Sequence, residues 1–103
     1  MFYEMRTYRL QPGTAGAFVN LYHNEVLPVI TSHLTLVGFW TTEIGKLNTV
    51  VSLWKYDSLD DRARRRKELA ADPEWAPLVQ KMLPLLVEQE NSVLVSTPFS
   101  PLS

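Results

Sequence analysis

The chain has 103 residues, 46% of them hydrophobic and 20% charged, with a net charge of −1. That suffices for one core and not for two domains, and it supplies no overall field to draw in nucleic acid or an anionic membrane. Cysteine is absent, which removes thiol nucleophiles, disulfides and thiolate metal sites.

The opening residues MFYEMRTYRL carry charge from the fourth position and read as a strand. No signal peptide or membrane span is expected there, and a cytoplasmic location follows as an expectation. Alternation along Phe2 to Leu10 puts Tyr3, Met5 and Thr7 on one face and Phe2, Glu4, Arg6 and Tyr8 on the other. Gln11-Pro12-Gly13 breaks this strand, and Thr14 is positioned to cap a helix through Ala15, Phe18, Leu21, Tyr22 and Val26 that Pro28 kinks or ends. Helical spacing places Glu25 inside the apolar arc of that helix.

A second apolar run, Leu36 to Ile44, reaches Gly45 and turns through Lys46-Leu47-Asn48 into a strand from Asn48 to Tyr56, so an antiparallel hairpin is expected. Ser58 then opens a charged helix, with Asp61 three residues on as its capping-box partner and Asp60 placed where the helix dipole favours negative charge. On this helix Leu59, Ala63, Arg66 and Ala70 share a stripe, which turns Arg66 inward, while the rest of the Arg62 to Lys67 run reads as a solvated face neutralised by Asp60, Asp61, Glu68 and Asp72. Asp72-Pro73 starts another helix carrying Trp75, Leu78, Val79 and Met82, and Pro84 interrupts it. Ser92 to Ser96 is the best last strand, and residues 97–103 read as an extended, proline-bearing arm on a single domain spanning 1–103.

The order β-α-β-β-α-β predicts an α+β, ferredoxin-like fold: an antiparallel sheet with both helices on one face. The other face is left bare. On the third strand that bare face holds either Val50, Ser52, Trp54 and Tyr56 or Val51, Leu53 and Lys55. The first set is preferred, because aromatic tips with polar atoms suit a semi-polar cavity, and Glu4, Arg6 and Tyr8 then share it. Such a patch is large for a monomer, so a homodimer that pairs two sheets is expected.

The segments YEMRTYRLQPG, FWTTEIGKLNTVVSLWKYDSLDDRARRR, LAADPEW and PFSPL, in this order, resemble the NIPSNAP family over nearly the whole chain. The resemblance implies a domain of unassigned activity, in which two ferredoxin-like protomers form a dimeric α/β barrel. The wider superfamily contains cofactor-independent monooxygenases and isomerases, a likeness of fold rather than of site.

Candidate chemistry gathers on the polar face. Arg6 is placed to bind a carboxylate or enolate oxygen, with Glu4 or His33 as proton-handling group, and Tyr8, Trp40, Ser52, Trp54 and Tyr56 as ligand-binding walls. The competing reading of Glu4 and Arg6 is an ion pair lining a wet cavity. Glu25 and Arg66, inward on neighbouring helices, are expected to form a structural ion pair. His23 and His33 lack carboxylates at ligand spacing, so neither a metal site nor a cofactor is expected. The functional expectation is a homodimeric small-ligand-binding or interaction module without nucleic-acid partners. The alternative is a cofactor-independent, monooxygenase- or isomerase-like enzyme acting on a small apolar or acidic molecule in the barrel lumen.

Overall fold

Alternating side chains and β-rich composition make Phe2–Leu10 an inner strand, β1, of a four-stranded sheet in the computed structural model, which describes residues 1–103. β2 is Thr35–Thr41, β3 is Thr49–Tyr56 and β4 is Leu86–Val95, in the spatial order β2-β3-β1-β4. All three neighbouring pairs are antiparallel, and the helices fall between β1 and β2 and between β3 and β4, which is the ferredoxin-like arrangement.

The first helical connection begins as α1 (Ala15–Leu21). Thr14 stands at its N-cap position but does not cap it; the hydroxyl donates to the carbonyl of Gln11, closing the turn in which Gly13 adopts φ +80°. A π-helical turn, Tyr22–Val26, leads into α2 (Leu27–Ile30), with Pro28 in the first turn of α2. The chain therefore continues past Pro28 instead of ending there. Widening to i→i+5 pairing, seen in Leu27 N–H donating to Tyr22 C=O, occurs just before a residue that has no N–H to offer. The extra residue in that turn keeps Tyr22 and Val26 buried and turns Glu25 out to solvent.

The hairpin from β2 to β3 closes with Thr42 N–H donating to Thr49 C=O, and the loop uses positive φ at Gly45 (132°) and Asn48 (57°). α3 (Leu59–Ala71) starts at the predicted cap: Asp61 N–H donates to Ser58 Oγ at 2.9 Å. The reciprocal half of the box is displaced by one residue, since Asp61 Oδ2 accepts from Asp57 N–H at 3.0 Å. Asp72 closes α3 and also accepts from Glu74 N–H, and α4 (Trp75–Met82) follows, ending in a 3₁₀ turn, Leu83–Leu85. β4 is longer than the predicted Ser92 to Ser96. Its middle, Glu88 to Asn91, is polar on both faces, as an edge strand allows, and its order comes from the ladder with β1 rather than from a hydrophobic stripe.

The core lies between the sheet and the helices and is centred on Trp54, Tyr56, Phe18, Val26, Val50 and Leu69. This corrects the preferred face of β3. Val50, Ser52, Trp54 and Tyr56 point toward the helices, and Val51, Leu53 and Lys55 occupy the uncovered face. The polar tips that argued for a wet surface are satisfied internally: Trp54 Nε1–H donates to Ser52 Oγ at 2.9 Å and Tyr56 O–H to Glu4 Oε1 at 3.1 Å. The β1/β3 register carries the rest of the set to the same side, with Glu4 opposite Trp54 and Arg6 opposite Ser52. Trp40, opposite Val51, is on the uncovered face, half exposed and folded over Gly38. The final residues turn back along that face, where Tyr3 O–H donates to the Ser103 carbonyl at 3.3 Å.

Candidate functional site

A carboxylate with no exposure to water must find cations or lose its charge. Glu4 is fully buried beneath α3 and is met by three guanidinium groups. Its Oε2 accepts from Arg62 Nη2 at 2.7 Å and from Arg6 Nη1 at 3.2 Å, and Arg66 Nη1 stands 4.0 Å from Oε1. Burial pushes the Glu4 carboxyl up, but the Arg62 hydrogen bond and the charges of Arg6 and Arg66 outweigh it, and the net result lies below the usual carboxylate range. Glu4 is thus a firmly ionised counter-ion. Burial, and then the Glu4 charge, push the Tyr56 phenol up, so it stays a donor to that carboxylate.

The inward stripe of α3 is Arg62, Arg66 and Leu69, one helical face at i, i+4 and i+7, whereas Ala63 and Ala70 face solvent. Arg62 belongs to the basic run that the sequence assigned to solvent, and its spacing four residues before Arg66 was the available signal. Arg65 also leans inward, donating to Asp61 Oδ1 at 3.0 Å and to the hydroxyl of Thr35 at 3.2 Å.

Beside this cluster a cavity of ≈ 180 Å³ opens between the sheet and α3–α4. Its polar lining is Arg6, Tyr8, Arg66 and Gln89, and its apolar wall includes Trp75, Val79 and Met82. Arg6 uses Nε on the Tyr8 hydroxyl at 2.8 Å and Nη1 on Glu4, leaving Nη2 without a protein acceptor. The Tyr8 hydroxyl accepts that bond and donates to no group of the chain. Arg66 forms no hydrogen bond of standard geometry, although its side chain is only 27% exposed. A second groove, of ≈ 220 Å³ and lined by Val19, Tyr22, His23, Leu27, Leu36 and Phe39, offers an apolar surface with a single histidine.

The structure therefore gathers Glu4, Arg6, Tyr8, Ser52, Trp54 and Tyr56 on one side of the sheet and leaves two of the expected participants elsewhere. Trp40 is on the opposite face. His33 pairs its Nε2 with Asp72 Oδ2 at 2.8 Å, tying the approach to β2 to the link between α3 and α4, and that bond holds the Asp72 carboxyl below its ordinary range. The expected Glu25–Arg66 pair is not formed. Arg66 turns to Glu4, while Glu25, carried outward by the π turn, pairs with Lys81 of α4. No group of three or more His, Cys, Asp or Glu side chains is arranged to hold a metal ion, and no helix is long and apolar enough to cross a membrane.

Comparison with known proteins agrees with this architecture. The human protein NipSnap homolog 3A is 36% identical over 103 residues, an alignment that covers 96% of this chain and 40% of that protein. The chain thus spans about two fifths of the length of that curated relative. A NIPSNAP domain protein from Burkholderia xenovorans superposes with a TM-score of 0.96 at 42% identity, covering 98% of this chain and 99% of that one. SnoaB, a cofactor-independent oxygenase from Streptomyces nogalater, shares the fold alone, with a TM-score of 0.68 at 15% identity over 97% of this chain and 96% of its own. The NIPSNAP family model matches residues 3–101, and the chain belongs to the NIPSNAP family.

Proposed function

We propose that this NIPSNAP domain is a homodimeric small-ligand-binding module, in which each protomer holds its ligand between the sheet and α3–α4. The observation that carries this reading is the cavity beside Glu4, where Arg66, Arg6 Nη2 and the Tyr8 hydroxyl present donors with no protein acceptor against an apolar wall. Convergent polar groups in an apolar pocket are the usual form of a small-molecule site. At ≈ 180 Å³ the cavity lies below the roughly 300–1,000 Å³ of drug-sized sites, which favours a small molecule.

The homodimer rests on the other face of the sheet. Met5, Leu94 and Trp40 are 37%, 43% and 53% exposed there, beside half-buried Val51 and Leu53. Apolar residues exposed on a sheet face in this way, at the edge of the returning C-terminal residues, are covered when two copies pair sheet to sheet about a two-fold axis. The ligand then sits on the outer, helix-covered side of each sheet rather than in the lumen between sheets.

The competing reading, a cofactor-independent enzyme with Glu4 as base, draws less support. A carboxylate bonded to two arginines and held below its ordinary pKa is a weak proton acceptor. Thermal-shift screening of the wild type against small molecules, beside Val79→Phe to fill the cavity, tests the module. A stabilisation that Val79→Phe removes supports it; a panel in which nothing stabilises the wild type, or in which Val79→Phe responds equally, rejects it.

A further inference from the structure

Charge and donor counting around the cavity define the ligand more closely. Three guanidinium groups converge on the single carboxylate of Glu4, which leaves two positive charges in the cluster without a counter-ion. The neighbouring acids are committed elsewhere: Asp61 to Arg64 and Arg65, Glu68 to Arg64, and Glu88 to Arg9. Arg62 Nε is buried with no partner at all, so the cluster is short of acceptors as well as of negative charge. Uncompensated charge is costly to hold away from water, and an anion that enters the cavity beside Arg6 and Arg66 offsets it.

Arg66, Arg6 and the Tyr8 hydroxyl line the same cavity, and the guanidinium fork matches the geometry of a carboxylate. The remaining wall, Trp75, Val79, Met82, Leu83 and Leu86, is apolar apart from the Trp75 indole N–H. Such a lining suits an amphipathic molecule with its charge at one end. Resting on the small-ligand reading above, we infer that the site takes a small monocarboxylate, its head group between Arg66 and Arg6 and its apolar body against α4, with Glu4 as the resident counter-ion that holds the arginines together. A carboxylate is favoured over a phosphate monoester because only Arg6 and Arg66 of the three arginines line the cavity, Arg6 is already bonded to Glu4, and most of the lining is apolar.

The test is isothermal titration calorimetry on the full chain with four probes of one apolar body: hexanoate, hexan-1-ol, hexylamine and hexyl phosphate. Hexanoate is expected to bind at least about tenfold more tightly than hexan-1-ol, with hexylamine weakest. Arg66→Met keeps the stem and removes the charge; because Arg66 reaches Glu4 only at 4.0 Å, while Arg62 and Arg6 hold that carboxylate more closely, the variant is expected to fold and to bind hexanoate and hexan-1-ol alike. Equal affinity of the wild type for hexanoate and hexan-1-ol overturns the carboxylate assignment and leaves the cavity reading standing, and this comparison needs no variant. Tighter binding of hexyl phosphate than of hexanoate overturns the choice of head group. Failure of all four probes to bind overturns the cavity reading together with the inference.

Discussion

Glu4 on β1 and Arg62 on α3, 58 positions apart in sequence, meet at 2.7 Å across the sheet–helix interface. The bond joins an inner strand to the helix above it and neutralises a carboxylate that has no access to water. Removing that carboxylate leaves three guanidinium groups facing one another. Glu4→Gln is therefore expected to lower stability in urea denaturation by about 3–5 kcal/mol, the range for breaking a buried ion pair from one side. A loss below about 1 kcal/mol would place the pair among surface-like contacts and contradict its structural role.

The same group sets a pH dependence. Its folded pKa lies below the unfolded value, so its contribution to stability is present above the unfolded pKa and is lost as pH falls through the folded pKa. Asp61 and Asp72, also held low, act in the same direction. Urea midpoints measured from about pH 7 down to about pH 3 are expected to fall for the wild type and to fall less steeply for Glu4→Gln. Parallel curves for the two proteins would assign the acid sensitivity to other carboxylates.

The start of α3 offers a separate check. Ser58 Oγ accepts from Asp61 N–H, and Ser58→Ala removes that acceptor. A loss of about 1 kcal/mol is expected by denaturation, with little change in ligand binding, because the cap fixes the helix start rather than the cavity wall. An unchanged midpoint would show that Asp61 and its bond to Asp57 N–H hold the turn unaided.

The uncovered face makes its own prediction. Leu53→Asp places a charge in the middle of the proposed dimer contact and far from the core side of β3. Sedimentation velocity is expected to show a wild-type dimer and a folded Leu53→Asp monomer. A wild-type monomer would remove the barrel from the account and leave the cavity untouched.

These relationships were legible in the sequence to different depths. Alternation alone assembled Glu4, Arg6 and Tyr8 with Ser52, Trp54 and Tyr56 on one side, because a period of two is unambiguous once the strands pair in register. Which side the helices cover was not legible: both faces of β3 carry large apolar residues, and the deciding facts are the internal bonds from Trp54 to Ser52 and from Tyr56 to Glu4. The cation partners of Glu4 were half visible. Arg66 read correctly as inward, but Arg62 was lost in a run of basic residues whose average looks solvated, since its partner lies on a strand 58 positions away. Glu25 was misplaced for a local reason, because the extra residue of the π turn rotates it away from the arc that uniform helical spacing assigns to it. The Ser58 cap and the hairpin at Gly45 were readable directly, being decided by neighbouring residues.

The most direct test of the central claim is a crystal structure of the protein grown with hexanoate. The account predicts a carboxylate bridging Arg66 and the free Nη2 of Arg6, within reach of the Tyr8 hydroxyl, with its chain against Trp75 and Val79. An empty cavity at saturating hexanoate, or the ligand lodged between paired sheets beside Leu53 and Trp40, would contradict it.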